Sequence, residues 1–358
     1  MTERLSLRRR LALDIFRRLR EDVVEVHHLR QLFWECTLRC NHHCRHCGSD
    51  CKQTALQPDM PLEDFARVLD NVAAATDPHQ VMINVTGGEP LMRPDLEQCG
   101  RMMYEKGFPW GMVSNGFALT PDRYQRLLRS GLRSMTISLD GLEADHDWMR
   151  GVPGSFKRAS AAIKMVVDSQ AIAFDVVTCV NRRNYPHLSE IKEYLIGLGL
   201  KEWRLFTVFP VGRAAHDPEL LLSGEEIRGL MDFIKATRKE GRIKADFACE
   251  GFLGNYEGDV RDHFFVCNAG VNVGGVLADG SISACPSIRA DYHQGNIYED
   301  DFMEVWENRY HPYRHREWMK KDECAKCKYF RYCQGNGMHL RGDDGKLLFC
   351  HLHRLQDE

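Results

Sequence analysis

Gln31-Leu32-Phe33-Trp34-Glu35-Cys36-Thr37-Leu38 is a run of mostly apolar and aromatic residues that stops one residue short of Cys40-Asn41-His42-His43-Cys44-Arg45-His46-Cys47. The run reads as a β-strand and the cysteines as part of the loop that follows it. Further strand-like runs lie at 80–86, 110–114, 134–140, 174–180 and 203–208. After each of the six comes a longer amphipathic stretch, at 61–75, 94–106, 121–129, 155–169, 186–198 and 223–239, so the period is that of a β/α unit. Local signals agree: Thr120 before Pro121 predicts an N-cap with proline in the first turn, Gly131 a helix end, and Ser223 with Glu226 a capping box.

Six such units predict an α/β fold with a mainly parallel sheet, a partial (β/α)6 barrel of the TIM type, whose ligands gather where strands end and helices begin. The informative residues fall there. Cys40, Cys44 and Cys47 follow the first strand, Gly87, Gly88 and Glu89 the second, Asn115 the third, and Asp140 ends the fourth. Past residue 245 the chain turns Gly-rich and Cys-rich, which predicts a small C-terminal cysteine-rich domain organised around metal. The expected division is a basic helical extension at 1–30, a barrel at 31–245 and the cysteine-rich domain at 246–358.

Lys plus Arg number 48 and Asp plus Glu 51, a net charge of -3 that gives no electrostatic case for nucleic acid or an anionic membrane as partner. Apolar runs such as 81–85 are far short of the ~20 residues of a membrane span. The arginines between Arg8 and Arg20 interrupt any signal-peptide core, so a cytoplasmic chain is expected, and that stretch reads as an amphipathic helix with solvated charge. In a reducing compartment 14 cysteines read as metal or cluster ligands before disulfides. Cys99, in a helix, and Cys179, in a strand, read as small core residues, and packing is the favoured reading for Cys36 and Cys51.

Three thiolates within eight residues can hold three corners of an iron-sulfur cubane and leave one iron open. Zinc is the alternative on spacing alone, with Cys36, Cys51, His42, His43 or His46 as fourth ligand. Thr86-Gly87-Gly88-Glu89-Pro90 offers backbone that a ligand can approach closely, with a carboxylate beside it that suits an ammonium.

Together these residues resemble the radical S-adenosylmethionine (radical SAM) superfamily. Cys40, Cys44 and Cys47 match its CxxxCxxC motif and Gly87 to Pro90 its GGEP motif; Ser114-Asn115-Gly116 matches its strand-3 element, and Ser138 to Gly141 with His146, Asp147, Arg150 and Gly151 its strand-4 region. The resemblance implies a [4Fe-4S] cluster whose open iron is chelated by S-adenosylmethionine, with Gly87, Gly88 and Glu89 near the methionyl amine and Ser138 and Arg150 near the ribose or carboxylate. Asn115 is a further cofactor-site candidate, and His46 stands where many members carry an aromatic residue over the adenine. Reductive cleavage would then release a 5′-deoxyadenosyl radical that abstracts a substrate hydrogen.

The later cysteines, with Gly280, Gly295-Asn296-Ile297 and Trp306 among them, resemble the SPASM extension with its auxiliary [4Fe-4S] clusters. That pattern assigns Cys324, Cys327, Cys333 and Cys350 to one auxiliary cluster, with zinc-ribbon chemistry as the alternative. It departs at Gly337, where a cysteine of the second auxiliary cluster is expected, so Cys267, Cys285 and Cys249 are left as its candidate ligands, or that cluster is absent. Pro286 stands where sulfatase-maturing members carry a catalytic acid, which argues against formylglycine formation.

By the same resemblance the expected activity is modification of a ribosomally made peptide or protein. A radical step in haem-type or other cofactor biosynthesis is the alternative, and a non-catalytic iron-sulfur or zinc electron-transfer protein the alternative from another class. A reduced flavodoxin or ferredoxin is the implied electron donor, and a small molecule the other candidate substrate. Many peptide modifiers carry a leader-binding domain of roughly a hundred residues; with about 30 residues before the first strand, recognition is expected to need a separate protein or the barrel itself.

Overall fold

The computed structural model describes residues 5–248 and 250–356, which excludes Cys249. Helix α1 (Leu7–Val26) precedes β1 (Gln31–Thr37). The alternation then runs α2 (Leu62–Ala75), β2 (Met82–Gly87), α3 (Leu96–Glu105), β3 (Trp110–Ser114), α4 (Pro121–Arg129), β4 (Leu132–Ser138), α5 (Glu143–Arg150), α6 (Ser155–Ser169), β5 (Ala173–Val180), α7 (Leu188–Gly197), β6 (Glu202–Thr207), α8 (Gly224–Glu240) and β7 (Lys244–Phe247). Three short strands follow, β8 (Val273–Val276), β9 (Ser281–Ser283) and β10 (Gly295–Asn296), then α9 (Phe302–Asn308) and further single-turn helices.

All the strands join one sheet in the order β10-β9-β8-β1-β2-β3-β4-β5-β6-β7. Strands β1 to β7 pair parallel in sequence, the outcome of right-handed β/α crossovers. The order is linear, so the fold is an open arc of barrel rather than a closed one.

Each of the six expected strands forms, as does each expected helix, and the capping signals act as read. The Thr120 hydroxyl accepts from Arg123 N, and Ser223 and Glu226 form a complete capping box. Asp140, expected to end the fourth strand, lies two residues beyond β4, because its side chain there accepts from Cys179 N and ends the ladder locally. Three features were not foreseen. Helix α5 is only eight residues long and polar; β7 is four residues with Lys244 and Asp246 on one side; and β8 pairs parallel to β1, Gln31 opposite Val273. The last of these covers what would be an exposed edge of β1 with residues 242 positions away, a pairing that no local pattern encodes.

Aromatic residues on the strands join sheet to helices. Trp34 of β1 stacks on Phe65 of α2 at 4.1 Å, Trp110 of β3 donates to Ser130 O after α4, and Trp203 of β6 donates to the Thr178 hydroxyl of β5. The apolar core is continuous from Leu32 and Trp34 to Trp306, Phe330 and Leu352, so the C-terminal cysteines are built onto the barrel's own core. Among the described residues no helix is long and apolar enough to cross a membrane.

Candidate active site

Every strand from β1 to β4 delivers side chains or backbone to one cleft of about 180 Å³ at its C-terminal end. Cys40, Cys44 and Cys47 line it, together with Gly87, Gly88, Glu89, Ser114, Asn115, Ser138 and Arg150. The structure thus brings together all nine residues proposed above for the first cluster and its cofactor.

The cysteine loop is held at both ends. Cys40 N donates to Lys52 O at 2.8 Å, Arg45 N to Met149 O at 2.9 Å, and Arg213 Nε to Cys44 O at 2.7 Å. Burial pushes the Cys40 thiol up to about 12 and raises that of Cys44. Cys47 is the exception: a hydrogen bond from the Cys51 thiol outweighs its burial and holds it down at about 5. Cys51, read as a packing residue, is buried but lines the same cleft.

Gly87 and Gly88 are pressed against the β1 backbone. A Cβ on Gly87 (φ +132°) would lie 2.1 Å from Thr37 O, and one on Gly88 would lie 2.3 Å from Arg39 O. Glu89 is buried, and its carboxylate accepts from Leu91 N at 3.1 Å, Ser114 Oγ at 2.8 Å and Asn115 N at 2.7 Å. Burial raises its pKa, against the pull of those donors. Its geometry ties the ends of β2 and β3 together beneath the glycines.

Arg150 is neither a surface residue nor a solitary cation. It is 8% exposed; its Nε lies 2.7 Å from Asp140 Oδ2, and its Nη1 donates to Cys44 Sγ at 3.8 Å. Asp140 is also buried, with His46 Nε2 at 4.0 Å from the same oxygen and the Cys179 thiol close by. His46 therefore faces the Asp140–Arg150 pair. Burial lowers the His46 pKa to about 4.

Two cleft-side contributors, Ser155 and Arg213, carried no readable signal. The Ser155 hydroxyl bridges His42 Nε2 at 2.7 Å and His146 Nε2 at 3.0 Å, while His146 Nδ1 accepts from Asp140 N, so this ring carries its proton on Nε2. Arg213, after β6, donates to Asp50 and to the carbonyls of Cys44 and Cys51. Gly154-Ser155 and Gly212-Arg213 are ordinary turn sequences; only long-range contact gives them their place.

The buried His146 yields an expected pH dependence. Burial lowers its pKa to about 4, against about 6.5 in the unfolded chain, so acid favours unfolding. Its contribution is complete above about pH 6.5 and about 2 kcal/mol of it is lost by pH 5. Urea unfolding of metal-free protein at pH 7.5 and 5 checks this against His146→Asn, whose loss over that interval should be smaller by about this amount; equal losses would refute it.

The second cysteine set also converges. Cys324, Cys327, Cys333 and Cys350 line one small cavity walled by Phe252, Phe330, Leu347 and Leu352, and Arg341 donates to Cys324 Sγ at 3.3 Å. Four thiols around one apolar-walled cavity, with a cation at one of them, suit a cluster with four cysteine ligands. Cys267 is buried elsewhere; burial pushes its thiol up, but the Arg316 guanidinium and the Met338 and Ala269 N–H groups leave it below the usual thiol range. Cys285 is half-buried, and Cys249 lies outside the described residues. The donor set at the strand ends, three thiols beside a glycine cradle, fits a [4Fe-4S] cluster with an open iron and a chelating amino acid.

Comparison with known proteins accords with this. Residues 34–195 match the family model of the radical SAM superfamily, and residues 267–328 that of the SPASM iron-sulfur cluster-binding domain. An AdoMet-dependent heme synthase of Methanosarcina barkeri is 27% identical over 324 residues, 86% of this chain and 90% of that one. A PqqA peptide cyclase of Rhizobium meliloti is 24% identical over 322 residues, 86% and 83% of the two chains. The solved structure of native anSMEcpe with bound AdoMet and Kp18Cys peptide superposes with a TM-score of 0.72 at 18% identity, over 92% of this chain and 94% of that one. The α/β partial barrel, its cluster-binding extension and both family matches make this chain a member of the radical SAM enzymes that carry a SPASM domain, with [4Fe-4S] and S-adenosylmethionine as their cofactors.

Proposed function

We propose that the enzyme abstracts a hydrogen atom from a peptide or protein substrate, with Cys40, Cys44 and Cys47 holding the cluster that binds S-adenosylmethionine. The observation that supports this reading is the one cleft those thiols share with Gly87, Gly88, Ser138 and Arg150. When bound, the reduced cluster and S-adenosylmethionine supply a 5′-deoxyadenosyl radical.

The chain's own residues prepare the place for it. Gly87 and Gly88 leave backbone open to the methionyl amine; Glu89 fixes the β2 and β3 ends under that backbone; Asn115 closes the side of the cleft; and Ser138 offers a hydroxyl to the ribose or carboxylate. Arg150 balances charge between Cys44 and Asp140, which suits a site rich in thiolate sulfur. We place one auxiliary cluster at Cys324, Cys327, Cys333 and Cys350, and a second, if it forms, at Cys267, Cys285 and Cys249. We further propose that the chain divides at residues 30 and 245, works in the cytoplasm and takes electrons from a flavodoxin or ferredoxin.

The peptide reading is supported by the PqqA peptide cyclase likeness. The likeness to AdoMet-dependent heme synthases favours a second reading, in which the substrate is a haem precursor. Anaerobic reconstitution, iron and sulfide counting, and chromatography for 5′-deoxyadenosine after dithionite and S-adenosylmethionine test the radical chemistry. About eight irons per chain with product is the expected result, and about twelve would add the second auxiliary cluster. Zinc, or iron without product, sinks the proposal. Consumption of a haem precursor that depends on S-adenosylmethionine and is accompanied by 5′-deoxyadenosine would decide for the second reading.

A further inference from the structure

Helix α1 is fastened along one side and bare along the other. On the fastened side Leu13 is buried, Phe16 meets Phe264 edge-on at 5.5 Å, Arg9 pairs with Asp259 at 3.0 Å and Arg20 donates to Cys267 O at 2.8 Å. On the bare side Leu7, Leu11, Ile15, Leu19, Val23 and Val26 are 46% to 82% exposed. At about 100° per residue they form one continuous band along all five turns. Scattered exposed apolar residues are ordinary, but a row of six along a helix marks a surface that another molecule covers.

The exposed charges of α1 say which molecule. Exposed Arg8 and Arg10 lie in its first part, while in its last part exposed Glu21, Asp22 and Glu25 outnumber exposed Arg18. Three of each sign cancel, so an anionic lipid surface gains no net attraction from them. A partner helix running the opposite way with the same distribution is complementary at both ends. Such a helix is present in every solution of this protein, since a second copy of α1 turned about a two-fold axis has that distribution. With the axis near Arg17, Leu11 faces Val23 of the other copy and Ile15 faces Leu19, while the arginine-rich end of each helix lies along the acidic end of the other. A parallel pair would set like charges side by side.

We propose that α1 is a homodimer interface, formed by antiparallel pairing of the α1 helices of two copies of this chain. Because Phe16 and Arg20 fasten α1 to the segment that carries Cys267, the pairing also brings the two cysteine-rich segments close to one another.

Light scattering on the reconstituted full chain over a wide concentration range reads the mass, with twice the chain mass expected. Ile15→Asp with Leu19→Asp should give the single-chain mass with unchanged iron content, which shows that the fold and the clusters are intact. A charge pair makes the test independent of that variant. Arg8→Glu with Arg10→Glu makes α1 acidic at both ends, and Glu21→Lys, Asp22→Lys with Glu25→Lys makes it basic at both ends. Each alone should dimerise on the order of tenfold more weakly or worse, and an equimolar mixture of the two should restore a dimer containing both. A wild-type chain that stays at single mass throughout, or a mixture that behaves as its components, overturns the proposal. Single mass together with binding to phosphatidylglycerol vesicles would overturn it in favour of a membrane surface.

Discussion

Gly88→Ala should empty the first cluster site and lower 5′-deoxyadenosine formation by about 100-fold or more. The reason is steric and lies in backbone. The added Cβ would stand 2.3 Å from Arg39 O, 2.8 Å from Arg39 C and 3.1 Å from Cys40 Cβ. No side chain can swing away to relieve this. Relief means moving one backbone off the other by about 1 Å, which also stretches Gly88 N to Thr37 O and Glu89 N to Arg39 O, now 2.8 and 2.9 Å. Overpacking of this kind costs about 1–3 kcal/mol. The functional loss is larger, because Cys40 moves with Arg39 while Cys44 and Cys47 stay anchored by Arg213 and α5, and ligand sets tolerate only about 0.5 Å of error. Iron after anaerobic reconstitution should fall by about four per chain, with iron at the C-terminal cysteines retained. Gly197→Ala in α7 is the control, since nothing lies within 4 Å of its added Cβ, and it should leave iron and product at wild-type levels. Full iron and product in Gly88→Ala would show that the β1–β2 approach does not position Cys40.

Asp140→Ala should destabilise the metal-free protein by about 3–5 kcal/mol. Asp140 is buried and its Oδ2 lies 2.7 Å from Arg150 Nε, so truncation leaves a guanidinium in a place that excludes water. It also deprives Cys179 N of its acceptor at 2.9 Å. Removing the charge as well should recover part of the loss, because an uncompensated buried cation is worse than an apolar side chain in its place. Asp140→Ala with Arg150→Met should therefore be more stable than Asp140→Ala alone in urea unfolding. A single variant within about 1 kcal/mol of wild type, or a double variant no better than the single, would show that the pair is not what holds this corner of the cleft.

Much of the fold was legible because its signals are local. Thr120, Pro121, Ser223 and Glu226 sit within a turn of the ends they define, and β1 to β6 are apolar enough to stand out from the amphipathic stretches between them. Helix α5 and strand β7 escaped because eight polar residues and four alternating ones fall below any periodic signal. At the site, the three cysteines and the two glycines could be read because close spacing is itself the chemistry. Ser155 and Arg213 could not, because they are joined to the site across more than a hundred residues of chain.

By itself the sequence determined the order of β/α units, the loop that carries Cys40, Cys44 and Cys47, and the glycines at the end of β2, since each rests on residues that are neighbours in the chain. Tertiary structure alone decided that Arg150 is bound to Asp140 and Cys44, that Arg213 holds the Cys44 carbonyl, that β8 closes the open edge of β1, and that one face of α1 is left bare. Hydrogen bonds, ion pairs and burial act through space over a few ångströms. Which distant residues come within that range is settled only when the sheet has formed and the core has packed.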